Sequence, residues 1–189
     1  MDRGNTQPLV SILIPHYGGI KIIQECLESI KKSEYSNKEI LVLNNNSNDD
    51  SSTIIKTNFP EITLIESKYN LGFAGGCNFL SSYANGEFLI ILNNDTVHEK
   101  DWILHLVSRM ISNDNISSVQ PKIKNYINRN SFDYAGASGG FIDQYCFPFS
   151  RGRIFDTIEK DEGQYDNACP IFWASGAAFL TRRELFKKI

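Results

Sequence analysis

Residues 87–96 read EFLIILNNDT, and the way this apolar run stops decides the fold. Phe88 to Leu92 are consecutive apolar residues set between the turn-making pair Asn85-Gly86 and the polar Asn93-Asn94-Asp95. A run with no polar alternation describes a strand covered on both faces, as in the middle of a parallel sheet. Open α/β sheets collect their ligands at the C-terminal ends of such strands. Asp95 brings a carboxylate to that end. Asn93 and Asn94 bring amide oxygens suited to a hard divalent cation or to the hydroxyls of a sugar.

On the N-terminal side, three more strand patterns precede this one. Leu9–Pro15 (LVSILIP) breaks into His16-Tyr17-Gly18-Gly19. A helix follows, with Ile23, Cys26, Leu27 and Ile30 on one face. Lys38–Leu43 ends in the polar tract Asn44 to Ser52, where Ser51 or Ser52 is placed to cap a short helix through Ile54-Ile55. Ile62–Ile65 is the third strand. The glycine-rich LGFAGGCN, residues 71–78, then opens a helix expected to run to about Ala84. Strand and helix alternate, so the expected class is α/β, a mostly parallel, Rossmann-like sheet with helices on both faces. Each strand delivers a polar cluster to its C-terminal end, and neighbouring ends would make one crevice shared by Tyr17, Asn44 and Asp95.

Beyond Thr96, a helix carries Ile103, Leu106, Val107 and Met110 on one face, starting at Glu99 or Asp101. Ser118–Ile123 reads as another strand. The pattern then changes. Residues 131–150 are rich in glycine and aromatics and suit hairpins, 151–167 are charged and read as a loop, and 169–181 are apolar with a Ser175-Gly176 interruption. A last helix begins at Arg182. The organisation expected is a single domain over 1–189, with a first half over 8–120 and a smaller mixed region over 121–189.

Composition narrows the function. A chain of 189 residues at 41% hydrophobic supports one well-buried domain. A net charge of -3 and a pI near 5.6 give no general attraction to nucleic acid. The polar N-terminus shows no secretory signal, and no apolar run reaches the roughly 20 residues of a membrane span. The four cysteines form no C-x-x-C pair, which argues against zinc and for reduced thiols. An EF-hand starting at Asn44 would need glycine at Asp49 and glutamate at Ile55, so that reading fails. Gly72, Gly75 and Gly76 match neither a Walker loop nor a dinucleotide fingerprint, leaving close helix packing and phosphate contact as alternatives. Tyr17 is placed to stack on a base. The amides of Asn44 and Asn45 offer both donor and acceptor to a planar heterocycle. His98 and His105 need no functional explanation at this stage.

VSILIPHY, EILVLNNNSNDDS, NLGFAGGCN, GEFLIILNNDT and WASGAAFLTRRELF occur in this order, and together they resemble the inverting glycosyltransferases of family 2, with the GT-A fold. The resemblance runs from Leu9 to the end of the chain. It implies that Pro15, His16 and Tyr17 line a nucleotide pocket, that Asn44, Asn45 and Ser47 hold base and ribose, and that Asn70 and Gly72 shape the neighbouring wall. Asn93, Asn94 and Asp95 stand at the family's D-x-D position, with Asp95 as ligand of Mg or Mn on the donor diphosphate. Trp173, Ser175 and Gly176 border the acceptor side.

The GFAGG and LNNDT forms are similar to the branch that adds rhamnose or related sugars to bacterial surface polysaccharides. The implied partners are a nucleoside-diphosphate sugar and a glycan or lipid-linked acceptor. The implied place is the cytoplasm, at the inner face of the membrane. Two departures accompany this. Asparagine replaces the common aspartate at Asn44 and Asn93, and the family's acidic catalytic pair would lie beyond Ile189. The resemblance therefore implies a truncated catalytic domain that binds donor and turns over poorly. The alternative is a non-catalytic nucleotide-sugar-binding or scaffolding module of the same fold.

Overall fold

The computed structural model describes residues 7–134 and 136–188. The polar residues 1–6, Ala135 in the glycine-rich stretch and Ile189 at the end of the last expected helix lie outside it. The central strand is β1 (Val10–His16), every residue of which is buried. It pairs in parallel with β2 (Lys38–Asn44) on one side and with β4 (Phe88–Leu92) on the other, and β3 (Thr63–Glu66) pairs in parallel with β2.

The unpatterned apolar runs have a direct cause. Ile12 and Ile14 of β1, with Ile90 and Leu92 of β4, pack under α1 (Ile20–Lys31), α2 (Ser51–Asn58) and α4 (Trp102–Ile111). Their neighbours Leu13, Leu89 and Ile91 face the other way, against Cys77 and Leu80 of α3 (Gly72–Ser81). Both faces exclude water, so neither register of the strand can be polar. Burying each such side chain stabilises the fold by roughly 2 kcal/mol before chain entropy is counted. The apolar faces expected for α1 and α4 are the ones buried.

The second half departs from the sequence-based expectation in instructive ways. The Ser118–Ile123 strand shrinks to β5 (Ser118–Val119). Pro121 has no N–H to continue a ladder, and the Gln120 side chain instead donates to Gly136 O at 2.9 Å. Strand β10 (Ala178–Arg182) inserts between β4 and β5, antiparallel to both, giving the order β3-β2-β1-β4-β10-β5. The charged stretch 151–167 is not a plain loop. It contributes β8 (Arg153–Ile154) and β9 (Thr157–Ile158) to a second sheet with β6 (Gly140–Ile142) and β7 (Pro148–Ser150). Helix α3 stops at Ser81 rather than near Ala84, and the last helix, α5, covers only Arg183–Phe186. Neither Ser51 nor Ser52 caps α2 through its side chain. Asp50 is the N-cap residue, and it makes no side-chain cap bond either.

Candidate active site

The rim above β1, β2 and β4 is stitched by side chains the sequence placed there. His16 and Asn44 are register partners, and Asn45 N donates to His16 O at 2.8 Å. The turn after β1 is clamped from the β2–α2 loop: Gly18 N donates to Ser47 Oγ at 2.9 Å and Gly19 N to Asp49 Oδ2 at 2.9 Å. The Ser51 hydroxyl also donates to Asp49. Together with the backbone N–H groups of Ser51 and Gly19, it holds this carboxyl below the usual carboxylate range. Asp49 also sits at the positive N-terminus of α1, where a carboxylate is favoured. Ser47→Ala is expected to cost about 1 kcal/mol in urea unfolding and to loosen the Tyr17–Gly19 turn. An unchanged unfolding midpoint would deny the clamp.

Several residues expected to touch a donor hold loops in shape. Asn44 Oδ1 accepts from Ser47 N at 2.9 Å, and its Nδ2 donates to Ser52 Oγ at 2.5 Å. Asn45 is buried and bridges to the start of α3, with Leu71 N donating to its Oδ1 at 2.7 Å and its Nδ2 donating to Gly72 O at 3.1 Å. Asn70 Oδ1 accepts from Gly72 N at 2.8 Å. Each end of the Asn44 and Asn45 amides thus makes one bond within the protein, and each end has a further donor or acceptor site left. Pro15 is buried beneath Gly76, where a Cβ would come within 2.9 Å of the proline Cβ, so this glycine serves close packing of α3 on β1. The Tyr17 ring stands at the rim with 57% of its surface exposed.

The β4 end is different in character. Asn94 Nδ2 lies 2.8 Å from His16 Nδ1, tying the β1 and β4 ends together. Burial pushes the His16 imidazole down, against the opposing charge of Asp49, so the ring is neutral. With the amide donating to Nδ1, the His16 proton sits on Nε2, which is buried without a partner among the described residues. Asn93 is fixed through its backbone, its N donating to Ala177 O at 3.0 Å. Asp95 is exposed, and its carboxylate makes no hydrogen bond or ion pair among the described residues.

Asp95 stands on the edge of a cavity of about 380 Å³. It is lined by Asn93, residues 95–99 and Trp102, by 121–126 with Arg129 and Asp133, and by Ala177-Ala178. Asn93 and Asp95 line it. Tyr17, Asn44, Trp173, Ser175 and Gly176 do not, so the enclosed space opens to one side of the rim rather than across it. The three residues expected on the acceptor side each make contacts within the protein. Trp173 lies on Gly140 with its Nε1 donating to Phe141 O at 3.1 Å. Ser175 N donates to Gln120 Oε1 at 2.7 Å, and Gly176 lets Phe73 approach.

His98 and Trp102 were not singled out by the sequence, because His98 lies before helix α4 and its approach to Trp102 is set by the loop. Their rings stack with centroids 4.1 Å apart, and His98 Nε2 and Trp102 Nε1 are both buried without partners among the described residues. Each such group costs about 1–3 kcal/mol. Burial pushes His98 down to about 4. An imidazole depressed from 6.5 contributes stability that is complete above 6.5 and lost as pH falls toward 4, at most about 3 kcal/mol. His98→Phe is expected to flatten the pH 4–6.5 limb of a stability curve. Retention of that limb would assign it elsewhere.

The sequence profile of Glycosyl transferase family 2 matches residues 11–189. The chain belongs to that family. Among curated glycosyltransferases it is 31% identical over 126 residues to UDP-Glc:alpha-D-GlcNAc-diphosphoundecaprenol beta-1,3-glucosyltransferase WfgD of Escherichia coli, covering 65% of this chain and 48% of that one. It is 28% identical over 121 residues to a poly-beta-1,6-N-acetyl-D-glucosamine synthase of Staphylococcus epidermidis, covering 61% and 29%. This family 2 chain thus spans less than half the length of these relatives. Two solved structures share its GT-A fold. The mannosyltransferase PcManGT from Pyrobaculum calidifontis, in complex with GDP-Man and Mn2+, aligns with TM-score 0.67 and 20% identity over 97% of this chain and 47% of that one. S. aureus TarS 1-349 in complex with UDP aligns with TM-score 0.67 and 18% identity over 95% and 48%. No helix of the described residues is long and apolar enough to cross a membrane.

Proposed function

We propose that this chain is the donor-binding part of an inverting glycosyltransferase, taking a nucleoside-diphosphate sugar at the rim of β1, β2 and β4. The observation that carries the reading is Asp95, an exposed carboxylate without a partner among the described residues, at the end of a buried parallel strand in a family 2 chain. The nucleotide would lie along Tyr17 and the loops that Asn44, Asn45, Ser47, Asn70 and Gly72 hold in shape. The diphosphate would reach Asn93, Asn94 and Asp95. The acceptor is a hydroxyl of a glycan or lipid-linked sugar, as the names of the relatives suggest. Lipid linkage would bring the chain to the inner face of the membrane.

Among the described residues no three His, Cys, Asp or Glu side chains gather into a cation cage. Asp95 would hold Mg or Mn as a single protein ligand, the donor diphosphate and water supplying the rest. When bound, such a cation offsets charge on the departing diphosphate. This chain's own residues orient the donor. The His16–Asn94 bond and the Ser47 and Asp49 clamps fix the loops before substrate arrives, so little ordering is left to be done on binding. Inversion requires the acceptor hydroxyl to attack the anomeric carbon from the face opposite the diphosphate.

Calorimetry with UDP, dTDP and GDP, each with and without Mn, tests the reading. Binding of one nucleotide that strengthens with Mn is expected. Absence of binding by all three would favour the scaffolding module instead.

A further inference from the structure

Two residues that line the cavity beside Asp95, His98 and Trp102, each carry a buried polar atom without a partner among the described residues, and the chemistry of the two atoms is complementary. The Ser29 hydroxyl has one proton. It donates that proton to Cys26 O at 2.7 Å, a carbonyl that can only accept. Ser29 Oγ also lies 2.9 Å from His98 Nδ1, so in that contact it must accept, and His98 carries its proton on Nδ1. His98 Nε2 is then a bare acceptor. Trp102 Nε1 is a donor and nothing else. The two rings stack, and both residues line the same cavity.

A partner for both atoms must donate and accept at once. A hydroxyl does so. A carboxylate or phosphate matches only the indole, and an ammonium matches only the imidazole. A volume of about 380 Å³ lies at the small end of ligand sites, room for a sugar ring but tight for a whole nucleotide sugar. The exposed Tyr126 ring, which lines the same cavity, supplies an apolar surface that a pyranose face can cover. Resting on the glycosyltransferase reading, we propose that His98 and Trp102 form a hydroxyl anchor for a neutral pyranose of the acceptor, held next to Asp95, with Ser29 as the positioning residue that fixes the imidazole tautomer. Both atoms are closed to solvent in this arrangement. His98 itself lies in 93–101, a segment with no helix or strand, so a small movement of that segment admits the hydroxyl.

The test uses the chain's two tryptophans. In an amide- and indole-resolved nitrogen NMR spectrum, Trp173 Nε1 is already bonded and Trp102 Nε1 is not. Titration with neutral methyl pyranosides (gluco, galacto, manno, rhamno and N-acetylglucosamine forms) in the presence of UDP and Mn should shift the Trp102 indole signal saturably for at least one sugar, leaving Trp173 in place. Trp102→Phe should weaken that sugar about tenfold and leave nucleotide affinity unchanged. Ser29→Ala should do the same to the sugar while moving the His98 nitrogen signals away from the Nδ1–H tautomer, a change that a packing role would not produce.

Saturable shifts without any nucleotide binding would support the anchor and overturn the donor reading. Nucleotide binding with no saturable shift for any pyranoside would overturn the anchor alone. Sugar affinity equal in wild type, Trp102→Phe and Ser29→Ala would also overturn it.

Discussion

Asp95→Ala should remove the Mn dependence of nucleotide binding and reduce affinity in the presence of Mn by about two orders of magnitude. The side chain is exposed and supports no described neighbour through a hydrogen bond or ion pair. Stability should therefore change by less than about 0.5 kcal/mol. That separation makes the experiment clean. Asp95→Asn keeps the shape and removes the charge, and should behave like the alanine variant if charge is what holds the cation. Nucleotide binding that still strengthens with Mn in both variants would move the cation to another residue.

The second large effect is structural. Gly140→Ala should destabilise the protein by about 3 kcal/mol or more, because the new methyl would sit 2.0 Å from Trp173 Cδ2 and 2.1 Å from Cε2. The indole cannot simply step aside. Its Nε1 donates to Phe141 O, and the backbones of the two residues bond at 3.2 Å between Gly140 N and Trp173 O. The loss would be read from the urea midpoint, with tryptophan fluorescence reporting the same region. In a double-mutant cycle, Trp173→Ala should recover part of it, since the clash and the ring disappear together. A Gly140→Ala protein as stable as wild type would show that the ring does not rest on that glycine.

The parallel core was legible because each strand is buried on both faces, which leaves an unbroken apolar run that no helix surface or half-wet strand produces. Phe88–Leu92 and Ile12–Ile14 announce their own environment. Strand β10 did not, since Ala178–Arg182 gains its place only by pairing antiparallel with a strand many residues earlier, and local pattern carries no record of a distant partner. Pro121 was a visible reason to shorten β5, and its weight was missed.

The polar rim was legible in place, but the bonds that hold it were not. An asparagine at a strand end looks the same whether it faces a ligand or ties a loop. Asn45 spends its amide on Leu71 and Gly72, a choice set by how α3 approaches β2. His98 was passed over for a related reason. Its meaning comes from Ser29, on helix α1, and from the ring of Trp102 that stacks with it.

The position of β10 also bears on how the chain is made. As synthesis proceeds from the N-terminus, β1 to β4 can pair as soon as they emerge. Until residues 178–182 follow, Phe88–Leu92 has an open flank of unpaired backbone amides and carbonyls, on an entirely apolar strand. Such a flank is a template for a neighbouring chain. The nascent protein is most prone to mispairing in that interval, and the late strand acts as a seal as well as a structural member.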